Sequence, residues 1–252
     1  MSADSNAHHG PLHQFQIDKI HEDFTIEIFG IDISITNSTV YMVLATLLSI
    51  AFMLYATRKK AVMPDRLQIV AEGIYNFVFN MVEGTIGKEG IKFFPLIFSL
   101  FIFILMCNVL GITPYSFTVT SHITVTFALA MIAFVTITVF AIVRNGFMGF
   151  IHMFLPSGVP WWMAPIIFLI EFFSFLIRPV TLSVRLFANM VAGHVLLKVV
   201  AMFIISLGII IGIFPMLFAV IMTGFELFVA VLQSYIFAVL VCAYLSEVTK
   251  QH

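Results

Sequence analysis

Residues 163–206 read MAPIIFLIEFFSFLIRPVTLSVRLFANMVAGHVLLKVVAMFIIS, a largely apolar run whose formal charges are Glu171, Arg178, Arg185 and Lys198. A bilayer-spanning helix needs about 20 apolar residues, so this run exceeds what a helix perpendicular to the membrane requires. Residues 209–247 repeat the situation, with Glu226 the one charge before Glu247. Strongly tilted helices, or helices with flat extensions, are the natural outcome. The rest of the chain agrees, because its 252 residues are 61% hydrophobic and only 10% charged, with mean hydropathy +1.10. Soluble domains carry about 25% charged residues, which excludes an ordinary water-soluble enzyme.

Working toward the N-terminus, three shorter runs are each long enough to span: 39–57, Phe93 to Ile112, and a third beginning at Ile123 and ending at Val143-Arg144-Asn145-Gly146. The first is followed by Arg58, Lys59, Lys60 and Arg66, which places that end in the cytoplasm by the positive-inside rule. Arg144 then falls on the same side, while the loop at Thr113-Pro114-Tyr115-Ser116 carries no Lys or Arg and lies outside. Residues 64–90 alternate charge with Phe, Ile and Val; they are too polar to span but suited to an interfacial helix. Pro156, Gly158 and Pro160 break the chain before Trp161-Trp162, an aromatic pair of the kind found at membrane interfaces. Residues 1–37 hold Asp4, Asp18, Glu22, Asp23, Glu27 and Asp32 against Lys19 and form a water-exposed arm, not a signal peptide. The expected fold is an all-α integral membrane protein: an arm at 1–37, then one membrane domain over 38–252. That domain would hold about five transmembrane helices and an interfacial amphipathic helix, the last two spans long and strongly tilted. A net charge of −1 leaves no basic excess for nucleic acid. Cys107 and Cys242 sit in apolar runs and read as small hydrophobes.

Ionisable groups at membrane depth cost about 3 kcal/mol each on insertion scales, so each is a functional hypothesis. At about 100° per residue, Glu171, Arg178, Thr181, Arg185 and Asn189 share one face of a continuous helix, with His194 opposite Arg185. Pro179 could rotate the part bearing Glu171 and Arg178. Glu226, Gln233 and Tyr244 form a second stripe on the last helix. With the two helices antiparallel and Arg185 level with Gln233, His194 and Glu226 meet at similar depth, and Glu171 lies toward the cytoplasm. Titratable groups then flank a permanently charged Arg185, the outline of two separate half-paths for protons. Arg178, Lys198 and Glu171 can also be read as helix-end side chains snorkelling to the headgroups. Arg185 is flanked by apolar turns, cannot snorkel easily, and requires an anion that its own stripe does not supply nearby. Phe168, Phe172, Phe173, Phe175, Met216 and Met222 read as core or lipid-facing packing.

The run from Arg178-Pro179-Val180-Thr181-Leu182-Ser183-Val184-Arg185 through Leu186-Phe187-Ala188-Asn189-Met190-Val191-Ala192-Gly193-His194 resembles the signature of subunit a of F-type ATP synthases. Cys107-Asn108-Val109-Leu110-Gly111-Ile112-Thr113-Pro114 is similar to that family's second-span ending, as is Glu226 to Gln233 with Tyr244-Leu245 to its last helix. The resemblance implies a stator subunit beside a rotating c-ring, whose carboxylates would be the missing anion. Peripheral-stalk b subunits and membrane lipid would be its other neighbours. It implies that Arg185 is the essential arginine, that Asn189, His194, Glu226 and Gln233 belong to the outer half-channel and the Arg's surroundings, and that Glu171 and Thr181 lie on the cytoplasmic side. Some relatives carry the acid on the first long helix and the histidine on the last, whereas here His194 and Glu226 are exchanged.

On this reading the chain performs no bond chemistry, carries no phosphate-binding loop of the Gly-x-x-x-x-Gly-Lys-Ser/Thr type, and needs no cofactor or metal. The polar, His-containing arm favours a bacterial plasma (inner) membrane over a mitochondrial inner membrane, again by resemblance. Two other classes are weighed beside it. A haem-bearing redox subunit would need paired histidines at membrane depth, but His122 and His152 are expected in loops. A stand-alone proton-coupled transporter would be expected to show paired halves or inverted repeats, and none is evident.

Overall fold

The computed structural model describes residues 27–28, 31–32, 36–58, 65–113, 118–155 and 160–249. Most of the N-terminal arm, Lys59, Lys60, most of the loop at 113–116, and the breakers Pro156 and Gly158 lie outside the described residues.

Six α-helices account for nearly all of the described chain: α1 (Asn37–Ala56), α2 (Arg66–Ile86), α3 (Phe94–Ile112), α4 (Ile123–His152), α5 (Ala164–Ile211) and α6 (Ile213–Thr249). All but α2 are long and apolar enough to cross a membrane. The fold is that of an all-α, multi-pass membrane protein. Among the described residues there is also a short antiparallel pair, β1 (Glu27–Ile28) against β2 (Ile31–Asp32). Strands of two residues carry no periodicity, so the sequence pattern gives no sign of them.

The element boundaries follow local chemistry. The Asp65 side chain accepts the Arg66 N–H at 2.8 Å and opens α2, whose buried Ala71, Val78, Val82 and Ile86 fall on one stripe at helical spacing. Gly87, at φ 89°, ends it, a left-handed conformation that a Cβ would disfavour. A 3-10 turn over Lys88–Phe93 then leads into α3. The third span, expected to end near Gly146, is interrupted there at φ 71°, ψ 166°, but helical geometry resumes to His152. His152 thus ends a helix, where the sequence suggested a loop. With 48 and 37 residues, α5 and α6 extend about 72 and 56 Å, roughly twice a hydrocarbon core of about 30 Å.

The chain divides into two compact units. The first comprises Met1–Met53, Phe103–His122 and Leu186–Gln233, and the second Leu54–Ile102, Ile123–Arg185 and Ser234–His252. In the first, α5 and α6 run antiparallel from the turn at Gly212, and the Asn108 amide of α3 donates to the Ala230 carbonyl of α6 at 3.2 Å. In the second, a cluster of rings joins α4 to α5, with Phe134 and Phe175 centroids 4.8 Å apart and Phe154 touching Phe168, Phe172 and Phe175. The same unit is tied by an ion pair between Arg144 and Glu89 and by Ser246, whose hydroxyl donates to the Thr85 carbonyl at 2.9 Å. Cys107 and Cys242 are buried, free thiols.

Candidate functional site

In the first unit His194 of α5 and Glu226 of α6 meet, with Nδ1 and Oε1 2.5 Å apart and both side chains at most 7% exposed. The bond holds one proton between two titratable groups: either the ring N–H donates to the carboxylate or a carboxyl O–H donates to the ring. Gly193 makes this approach possible. A Cβ there would lie 2.7 Å from Glu226 Oε1, closer than real Cβ atoms come, and a tight 3.1 Å from its carboxyl carbon, so the carboxylate would have to shift. The sequence reading passed over Gly193, because a helical glycine gives no sign of what packs on it. Gly193→Ala is expected to push Glu226 off the ring and to lower passive proton flux through the membrane sector about tenfold, or 1.4 kcal/mol of barrier. Flux measured in vesicles checks this, and an unchanged rate would show that the pair tolerates separation.

One and a half turns earlier on α5, the Asn189 amide donates to Gln233 Oε1 at 2.9 Å. The antiparallel register is therefore set by Asn189 against Gln233. The expected level pairing of Arg185 with Gln233 is corrected by about one helical turn, because Asn189 has the short reach and the amide geometry to bond Gln233 directly. Gln233 is buried, and its Nε2, like Glu226 Oε2, Asn108 Oδ1 and the hydroxyls of Thr118 and Thr120, has no hydrogen-bond partner among the described residues. Buried polar atoms left so cost about 1–3 kcal/mol each, and polar interiors of this kind suit water. Asn108 entered the sequence reading only as part of a motif, and Thr118 and Thr120 were not singled out, since Thr in a polar loop gives no sign of burial. His122 precedes α4, and burial pushes its imidazole pKa below the ordinary value.

The second unit holds the other predicted residues. Glu171 is half-buried, and Thr181 is exposed, its hydroxyl donating to the Arg178 carbonyl at 2.9 Å. Arg178 has a partner on α6: its Nη1 lies 2.5 Å from Glu247 Oε2, and its guanidinium sits 4.5 Å over the Tyr244 ring. The shared polar stripe is thereby divided. Arg178 turns to α6, while Arg185 is exposed and makes no hydrogen bond or ion pair among the described residues. No group of His, Cys, Asp and Glu able to hold a metal comes together among those residues.

Residues 39–246 match the family described as ATP synthase A chain. The chain belongs to that family. It is thus a subunit of the proton-translocating membrane sector of ATP synthase and works in a complex with other ATP synthase subunits. Within this family setting, the exposed guanidinium of the second unit and the buried acid–base pair of the first are the features that call for a mechanism.

Proposed function

We propose that this A chain is the stator element that loads and unloads protons on the carboxylates of the rotating c-ring, through two half-channels separated by Arg185. The observation that carries the reading is the exposed, uncompensated Arg185 guanidinium on an apolar helix. A cation so placed is stable only with an anion from elsewhere, and a ring carboxylate supplies one. His194 and Glu226, with Asn189 and Gln233 beside them, form the outer relay, and Glu171 and Thr181 belong to the cytoplasmic exit. The arm at 1–37 then faces the outer aqueous phase and 38–252 forms the membrane domain, in a bacterial plasma membrane, with b subunits as further partners.

In this mechanism a proton arriving from outside passes through the His194–Glu226 pair and neutralises a ring carboxylate. A neutral acid can turn into lipid without the penalty a carboxylate would suffer. After most of a revolution the acid meets the cytoplasmic half-channel, releases its proton and is drawn past Arg185. Each proton crossing 100 mV delivers about 2.3 kcal/mol, so several are combined per ATP. This chain makes and breaks no bond other than those to protons.

The lengths of α5 and α6 imply strong tilt beside the ring. A structure of the assembled membrane sector is expected to show both helices inclined well beyond the average of about 20°, and ordinary inclination would contradict the proposed packing.

A further inference from the structure

Arg178 and Arg185 lie seven residues apart on α5, about 10 Å along its axis and within about 20° of one direction, yet their surroundings differ completely. Arg178 is half-buried and partnered: Glu247 Oε2, itself on an exposed side chain, lies 2.5 Å from Nη1, the Tyr244 ring 4.5 Å and the Phe175 ring 5.6 Å from the guanidinium carbon. Pro179 follows immediately. It has no N–H to give the Phe175 carbonyl, so α5 loses a backbone hydrogen bond there. A small cavity of about 10 Å³ sits at this point, walled by Ala130, Ala133, Ile137, Leu182 and Val241. The helix is thus weakened just before the segment bearing Arg185, and the Arg178–Glu247–Tyr244 contacts bridge the weak point.

We infer that Arg178 and Glu247 are a positioning pair for Arg185. Their bond holds α5 against α6 across the Pro179 gap, and it neutralises the second guanidinium so that Arg185 alone attracts the ring carboxylate. This rests on the proposed role of Arg185. The titratable groups seen in contact with Arg178 are Glu247 and Tyr244 on α6, Glu171 and Arg185 are the other charges within seven residues of it along α5, and α4 contributes Ala130, Ala133, Phe134 and Ile137 to the cavity beside it, which carry no charge. Removing Glu247 leaves a bare cation in this setting. Removing Arg178 as well takes that cation away and leaves only the loss of the tie.

The test uses vesicles carrying the complete ATP synthase with Glu247→Gln, Arg178→Gln or both changes. ATP synthesis is measured intact, and passive proton flux against cytoplasmic-side pH is measured after the catalytic sector is removed. Glu247→Gln is expected to lower synthesis about tenfold. It should also move the midpoint of the flux profile toward acid by roughly half a pH unit, because an uncompensated cation about 10 Å away stabilises neighbouring carboxylates. Arg178→Gln should lower synthesis about threefold without an acid shift, and the double variant should resemble it. A wild-type midpoint in Glu247→Gln, or a double variant worse than either single one, would overturn the inference. If Glu247→Gln does not accumulate in the membrane, accumulation of the double variant supports the inference and loss of both contradicts it. Failure here while Arg185→Ala remains inactive would sink the pair alone, whereas synthesis retained by Arg185→Ala would sink the reading beneath it.

Discussion

Glu226→Gln and His194→Ala are each expected to slow proton flow roughly 100-fold, the low end of what a positioned acid–base group contributes, while the subunit still assembles. Glu226→Gln is close to isosteric and keeps a hydrogen bond to the ring, so it removes the titration and little of the packing. His194→Ala removes the ring and leaves the buried Glu226 carboxyl, whose Oε2 already has no partner among the described residues, without its 2.5 Å contact. Because the two groups share one proton, the double variant should be little worse than either single change, as for residues that act as a unit. Proton pumping driven by ATP hydrolysis measures all three. Wild-type rates in both single variants would make the pair structural, and multiplicative losses would mean two independent steps.

Much of this pair was legible in the sequence. A histidine on α5 and an acid on α6, spaced from a common level by similar rises, can meet only if the helices are antiparallel neighbours, and apolar runs joined by a short connection are expected to be so. The exact level was not legible. It depends on Asn189 reaching Gln233, a contact between two uncharged amides that no hydrophobic pattern encodes. Gly193 was hidden for a related reason: its role lies in what approaches it, not in its own backbone, which is ordinary helix. Five spans and an amphipathic α2 could be read from run length and charge placement, since the bilayer imposes both. The partner of Arg178 was not legible, because helical angle alone groups it with Arg185 and says nothing of what another helix brings to it. Arg178 pairs with Glu247, near the far end of another helix. The β1–β2 pair and the helical turns beyond Gly146 are local backbone events too short to register in a periodicity.

Arg185→Ala is expected to have the largest effect of any single change. A permanent cation between the half-channels attracts each arriving ring carboxylate, favouring its ionised form, and repels protons that would otherwise pass directly from one half-channel to the other. Its loss should therefore abolish ATP-coupled rotation and open a passive proton leak. Arg185→Lys should rescue poorly, because an ammonium lacks the planar five-donor fork and can lose its proton when desolvated. Stability should change little, since Arg185 is exposed and makes no contact within the described chain whose loss would leave a buried group unpaired.

The most direct measurement is passive proton flux through vesicles stripped of the catalytic sector, run beside ATP synthesis in intact vesicles, for the Arg185→Ala and wild-type complexes. The expected result is no synthesis together with a flux above wild type at equal driving force. Lost synthesis without a leak would remove the barrier role and leave the attraction of the ring carboxylate standing, whereas retained synthesis would contradict the mechanism outright.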